Sequence, residues 1–321
     1  MVDTCSAQKD VSLATEVAVP FVSVIIPVYN DSARLRLCLN ALAKQTYGAS
    51  NYEVIVVDNG SDAEQKTQAL AAEFDSVVYT QEAAPGSYAA RNKGIFVAKG
   101  EILAFTDSDC IPSQDWLEKG VKHLVDNPGC GMVAGRIEVF NQNPDQATPI
   151  ELYEQVVFGF PQERMLKDHQ SAVTANILTR KSVIDDIGPF KANLKSGGDG
   201  EWSRRVYASG YEQIYAEDAW VAHPARRTMD EVSKRVARYA GGWYDRFIRY
   251  ESSWWVRNRR LARFVVSDLV IYTVDNTKKV LKEPRLGNFE TRLKVLNIVV
   301  KMQFLSAFEK VRLQFGGESQ R

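Results

Sequence analysis

The stretch VSVIIPVYN, Val22 to Asn30, decides how the chain is read. It is an apolar run broken by Pro27 and closed by a turn, the pattern of a buried strand. Leu35, Leu39 and Leu42 follow at helical spacing, so a helix should pack on that strand. The form then repeats: YEVIVVDNGS, Tyr52 to Ser61, is a β-branched run stopped by Asp-Asn-Gly-Ser. Residues 62–73 suit a helix, Val77 to Tyr79 a short strand and Gly86 to Ala98 a helix. Glu101 to Thr106 is a further strand, ending in TDSDC. This alternation predicts an α/β fold, a mainly parallel sheet flanked by helices. Such sheets bind ligands beyond the carboxyl ends of their strands. Three of those ends are polar here: Asn30–Asp31, Asp58–Asn59 and Asp107-Ser108-Asp109. Beyond residue 113 the pattern is mixed, with apolar pieces near 131–140, 173–178 and 212–216. From 228 onward it reads as helices.

Composition narrows the class. The 321 residues are 45% apolar and 25% charged, ordinary globular values that exclude extensive disorder, collagen and a simple coiled coil. No uncharged apolar stretch of 18 residues occurs, so a membrane-spanning helix is not expected. Forty basic and forty acidic residues balance, yet unevenly: residues 232–321 hold 19 Lys and Arg against 8 Asp and Glu. The chain joins an acidic body to a basic tail, which concerns partners rather than fold. The four cysteines form no Cys-x-x-Cys pair, and residues 1–20 lack the basic and apolar regions of a signal peptide. A reduced, cytoplasmic setting is the simplest account.

Several side chains are candidates for chemistry. Asp107 and Asp109, two carboxylates on a strand-ending turn, can meet one hard cation that bridges diphosphate oxygens, or can simply cap the turn. Asp58 can accept hydrogen bonds from a base or ribose, or close its own Asp-Asn-Gly turn. Arg91 and Asn92 lie on the helix before the Asp-x-Asp strand and can face the same pocket or solvent. SGGDGEW, Ser196 to Trp202, places Asp199 in a Gly-rich turn before a helix, where it can act as a general base or favour the helix dipole. His223 follows an apolar run, and Arg235 and Arg238 stand on a basic aromatic helix. No phosphate loop, dinucleotide fingerprint, nucleophile elbow or zincin motif occurs.

The combination VSVIIPVYN, VVDNGSD, RNKG and FTDSDC, in that order and spacing, resembles glycosyltransferase family 2 over residues 21–225. The resemblance implies the glycosyltransferase A-type fold, an inverting reaction, a nucleotide-diphospho-sugar donor with a bias to uridine, and Mn²⁺ or Mg²⁺. It implies donor contacts from Pro27, Tyr29 and Asn30, from Asp58 to the nucleoside, and from Arg91, Asn92 and Asp107 around the diphosphate. Asp109 would be the direct metal ligand, with Asp107 beside it, and His223 matches a His sometimes near the metal. SGGDGEW resembles the family's Gly-Glu-Asp-x-Asp-Leu segment, so Asp199 would be the catalytic base and Glu201 the reserve. Gly198 departs from the family's Glu. The segment Arg235–Gly242 resembles an Arg-Tyr-Gly-rich helix of membrane-associated members, which adds Arg238 to the donor contacts. The alternative function is a non-catalytic nucleotide-sugar-binding protein of the same fold.

Three spans are therefore expected: a weakly ordered lead-in at 1–20, a catalytic domain at 21–225 and a helical extension at 226–321. Between Lys234 and Arg263 nine Lys and Arg stand among aromatic residues that include Trp243, Tyr244, Phe247, Tyr250, Trp254 and Trp255. That mixture suits either the headgroup boundary of an anionic leaflet or packing against the catalytic domain. The first reading places the enzyme on the cytoplasmic membrane face, beside a glycan or lipid-linked acceptor. No nucleic-acid partner is expected.

Overall fold

A computed structural model describes residues 19–143 and 146–320. The expected lead-in therefore lies outside the described residues, except for its last two. Eight strands form one sheet: β1 (Val22–Val28), β2 (Tyr52–Asp58), β3 (Val77–Gln81), β4 (Ile102–Thr106), β5 (Ile111–Pro112), β6 (Cys130–Phe140), β7 (Asn176–Arg180) and β8 (Glu212–Pro224). Their order is β3-β2-β1-β4-β7-β6-β8-β5. Every residue of β2 is buried, which is why its sequence is a continuous apolar run rather than an alternating one.

Strand β1 pairs in parallel with β2 and β4, so their carboxyl ends, Val28, Asp58 and Thr106, reach one edge of the sheet. Beyond β4 the parallel expectation fails in part. Strand β7 runs antiparallel to both β4 and β6, and β5 antiparallel to β8, leaving β6–β8 as the parallel pair of that half. The sheet is mixed, because apolar periodicity specifies which face of a strand is buried but not its direction. The helix expected over 62–73 breaks at Lys66, whose φ of 49° separates two short turns, Ala63–Gln65 and Thr67–Ala71.

Alternate side chains of β1 divide the core. Val24, Ile26 and Val28 meet helices Ser32–Leu42 and Trp116–Asp126 on one face. Ile25, with Ile55, Val57 and Phe105, lies on the other face beside Trp202 and the Ser87–Val97 helix. In that helix Gly94 is required by close approach: a Cβ there would sit 2.5 Å from Ile25. After β8 the chain is helical. Helix Met229–Tyr244 opens with a Thr228–Glu231 capping box. Its Val232 shares a core with Val280, Val295, Val299 and Met302, and Tyr153 of the Pro149–Tyr153 helix joins them. The guanidinium of Arg235 is buried in a two-bond pair with Glu154, at 2.5 Å each, and lies 3.6 Å over the Phe158 ring. Residues 149–158 are thereby bound into the core of the helical extension. Among the described residues no helix is long and apolar enough to cross a membrane.

Candidate active site

The ends of β1 and β4 frame a cleft of about 230 Å³, whose wall includes Pro27, Tyr29, Arg91, Asp107, Asp109 and Arg238. Pro27 lies on β1 and Tyr29 in the bend just after it, and Tyr29 is 63% exposed, free to stack on a planar base. Arg91 comes from the Ser87–Val97 helix, is buried, and pairs with the Asp107 carboxylate. Arg238 enters from the Met229–Tyr244 helix, more than a hundred residues further along the chain. That helix seats closely because Gly242 has no side chain: a Cβ there would fall 1.9 Å from Ser196 Oγ. Ser196 also donates to the Arg238 carbonyl at 3.4 Å, so the loop preceding Asp199 and the helix bearing Arg238 are held together.

Asp109 lies at the centre of the polar wall. Its Oδ1 is 3.7 Å from His223 Nε2, and its Oδ2 is 4.0 Å from the Arg34 guanidinium. His223 Nδ1 is 2.9 Å from the Pro224 carbonyl, a contact in which the ring must donate. Nδ1 thus carries a proton, and Nε2 is the ring nitrogen turned to Asp109, the one that could ligate a metal. One ligand atom each from Asp109, His223 and Cys110 lies within 4.8 Å of the others. Burial, with Asp109 and Asp107 nearby, pushes the Cys110 thiol well up, so it stays neutral and is a poor ligand for a hard cation. An oxygen-preferring divalent cation fits Asp109 and His223 with Asp107 alongside.

Asp199 is in the first turn of helix Gly198–Ala208, not in a turn preceding it. It accepts from the Tyr88 hydroxyl at 3.3 Å and from the Gly200 N–H at 2.9 Å. Burial raises its pKa above the ordinary carboxylate value. Nearby Asp107 adds to the rise, while the Gly200 bond, Arg91 and Tyr88 oppose it. Its charge therefore senses both Arg91 and Asp107, two residues of the cleft wall. A partly exposed carboxylate with raised basicity is suited to taking a proton.

Tyr88 also explains Gly198. The Gly198 N–H donates to the Tyr88 hydroxyl at 2.9 Å, and a Cβ at Gly198 would lie 2.7 Å from the Tyr88 ring. The departure from the family's Glu is thus a packing consequence. Sequence reading missed Tyr88, because a tyrosine on a helix reads as core; its only signal was its place three residues before Arg91. Tyr88→Phe should lower turnover by about tenfold, the order of one lost bond to a charged group. It should also move the acid limb of the rate profile upward, since the hydroxyl bond holds Asp199 down. Donor KM should barely change, and a KM effect without a shifted pH profile would refute the positioning role.

Four expected site residues are engaged with other parts of the chain. Asn30 (φ 50°) is a latch: its side chain exchanges two bonds with Asp62, at 2.9 and 2.8 Å. Asn92 clamps the Phe190 backbone with bonds of 2.8 and 3.0 Å. Asp58 is 5% exposed, with one oxygen accepting from the Ser61 N–H at 2.8 Å and the other from the Tyr79 hydroxyl at 3.0 Å. The reserve base Glu201 is buried between Lys191 at 2.7 Å and Arg205 at 3.2 Å. Burial alone would raise its pKa, but the two cations hold it below the usual value. Such a carboxylate is a poor base. Its linkage runs the other way from that of Asp199: the stability it contributes is present above the unfolded-state pKa and lost as pH falls through the depressed one. Glu201→Gln should therefore lower the melting temperature at neutral pH, and by less at low pH.

A larger cavity of about 350 Å³ lies between the helices of the extension, lined by Phe158, Trp243 and Met302 with the Asp268–Lys310 pair. It lacks the carboxylate and imidazole set, so the smaller cleft is the candidate active site.

Comparison with known proteins bears on the family and the fold. Residues 23–188 match the model of Glycosyl transferase family 2. Glycosyltransferase AglE of Haloferax volcanii is 40% identical over 228 residues, 70% of this chain and 73% of that protein. The pre-mycofactocin glycosyltransferase of Mycobacterium tuberculosis is 30% identical over 224 residues, 68% of this chain but 46% of that longer protein. Among solved structures, the mannosyltransferase PcManGT of Pyrobaculum calidifontis, in complex with GDP-Man and Mn²⁺, superposes with a TM-score of 0.62 at 19% identity, covering 94% of this chain and 89% of that one. Residues 1–349 of S. aureus TarS give a TM-score of 0.51 at 17% identity, covering 92% of each chain. At such identities the two structures show a shared fold.

Proposed function

Since the chain belongs to glycosyltransferase family 2, with the A-type fold and a glycosyltransferase activity, we propose that it transfers a sugar with inversion from a nucleotide-diphospho-sugar to an acceptor hydroxyl at the β1–β4 cleft. The observation that carries the reading is the convergence of three separate carboxylates and three cationic or imidazole groups. Asp107, Asp109 and Asp199 meet Arg91, Arg238 and His223, although the sequence distributes them from residue 91 to 238.

Each group has a role in that reading. Tyr29 stacks on the base, and Pro27 shapes the turn beneath it. Asp109 and His223, with Asp107, would hold Mn²⁺ or Mg²⁺, which supplies positive charge to the diphosphate oxygens. Arg91 orients Asp107, and Arg238 adds a cation at the open side of the cleft, where leaving-group charge develops. Asp199 takes the acceptor proton as the acceptor oxygen forms a bond to the anomeric carbon. On the opposite side of that carbon the bond to the diphosphate oxygen breaks, and the nucleoside diphosphate leaves. Tyr88 holds the Asp199 carboxylate for the attack. One displacement inverts the anomeric centre.

The donor is proposed to carry uridine, following the family resemblance, and the acceptor to be a glycan or a lipid-linked glycan at a membrane surface. The GDP-Man bound by the Pyrobaculum structure makes guanosine the necessary comparison. The test is a thermal-shift screen of uridine and guanosine diphospho-sugars, with and without Mn²⁺. A metal-dependent shift for a nucleotide sugar, absent in Asp109→Ala, is expected. No shift with any donor would refute the placement of the donor site. Non-catalytic binding drew support only from Gly198, and the Tyr88 ring accounts for that glycine.

A further inference from the structure

The basic aromatic stretch at 234–263 is consumed by packing in its first half only, and Trp243, Tyr250, Trp254 and Trp255 stay exposed. Arg235 is buried against Glu154, Tyr244 is 4% exposed, and Trp243, Phe247 and Phe264 pack on one another. Exposed apolar surface lies further on, in a helical hairpin. Its first leg runs through Trp254–Val266, Ser267–Tyr272 and Thr273–Lys282, and its second is Phe289–Gln314. The legs are antiparallel along their length. Arg292 bonds the Val280 carbonyl at 2.9 Å, Lys310 pairs with Asp268, and Gln314 meets Asn258 at 3.0 Å.

Both legs are apolar on two sides. Inward, Val280, Val295, Val299 and Met302 fill the core of the extension. Outward, Val266, Val270 and Val274 stand one helical turn apart on the first leg, and Val300, Phe304 and Phe308 do the same on the second. The outward rows are open to solvent: Phe304 is 60% exposed, Phe308 63% and Phe289 72%. Monomeric soluble proteins rarely leave so long an apolar row uncovered.

Charge identifies the occupant. Between Trp254 and Phe315 there are thirteen Lys and Arg against five Asp and Glu. Exposed Arg259 and Arg263 stand beside the exposed, edge-to-face Trp254–Trp255 pair at one end of the first leg, and exposed Lys278, Lys279 and Lys282 at the other. A symmetric dimer through this face would oppose like charges. An anionic headgroup layer would meet cations flanking an apolar strip, with Trp at the boundary. Neither leg is long and apolar enough to cross, so the hairpin would lie in the interface plane. We infer that the 254–315 hairpin seats the chain on a bilayer leaflet bearing anionic headgroups.

The inference is independent of the transfer chemistry, because none of these side chains touches the cleft. It also goes beyond the membrane-surface acceptor by naming the face that docks. The test is co-sedimentation of the full chain with phosphatidylcholine vesicles, with and without phosphatidylglycerol. Binding should require the anionic lipid and weaken with salt. Arg259→Ala, Arg263→Ala and Lys282→Ala together should weaken it by about a hundredfold, from the charge each cation brings to the surface. Phe304→Ser with Phe308→Ser should weaken it by about tenfold or more, with nucleotide release in the absence of vesicles and the melting temperature unchanged. If the Phe variant misfolds, the charge variant decides alone. Failure to bind either vesicle, or salt-insensitive binding to neutral vesicles, would overturn the inference. So would a concentration-dependent dimer by light scattering that Phe304→Ser and Phe308→Ser abolish, since a second copy would then cover the face.

Discussion

Asp199→Asn is expected to cut transfer by about 10²–10⁴-fold, the usual worth of a general base, while raising the melting temperature at neutral pH. The two effects share a cause. Burial lifts the Asp199 pKa, so keeping the carboxylate ionised in the fold costs free energy. For a raised carboxyl pKa the folded state binds more protons than the unfolded state between the two values, and stability falls as pH rises through that window. Asn retains the acceptor oxygen for Tyr88 and Gly200 and carries no charge. The thermal advantage of the variant should therefore be greatest at neutral pH and vanish below the unfolded carboxyl value. For the same reason the acid limb of wild-type turnover should lie above the ordinary carboxylate range. Thermal melts and rate profiles over a shared pH series check both limbs. Unchanged turnover in Asp199→Asn would mean that another group takes the proton.

Asp109→Ala is expected to lower transfer by about 10²–10³-fold, through lost electrostatic stabilisation of the leaving group. Unlike Asp199→Asn, it should also abolish the dependence of donor affinity on Mn²⁺. The structural reason is position: Asp109 faces Nε2 of His223, whereas Asp107 is already paired with Arg91. Calorimetric titration of nucleoside diphosphate with and without Mn²⁺ separates the two variants. Asp199→Asn should bind as wild type does, and Asp109→Ala should bind equally weakly in both conditions. If Asp109→Ala retained metal-dependent binding, the cation would have to be held elsewhere in the cleft.

The parts of this site that the sequence made legible are those at strand ends. Apolar runs ending in Asn30–Asp31, Asp58–Asn59 and Asp107–Asp109 place polar groups at one sheet edge, because parallel neighbours must end together. What residue type could not convey is orientation. Asn30, Asn92 and Glu201 are latches because their partners, Asp62, the Phe190 backbone and Lys191, lie in other segments whose approach depends on the finished fold. Tyr88 was hidden for the converse reason, being a mostly buried aromatic whose hydroxyl alone reaches the site. The antiparallel β7 was invisible because Asn176–Arg180 buries equally well in either direction. The helical extension was expected to be basic and aromatic, yet which aromatics face outward depended on the antiparallel pairing of its last two legs.

The central claim is that the β1–β4 cleft performs a single displacement with Asp199 as base. It is tested most directly by following turnover of a nucleotide sugar with time-resolved proton NMR, comparing the wild-type chain with Asp199→Asn. The account predicts that the first product formed has the anomeric configuration opposite to that of the donor, and that the variant forms none on the same timescale. A first product with retained configuration, or wild-type turnover in the variant, would contradict it.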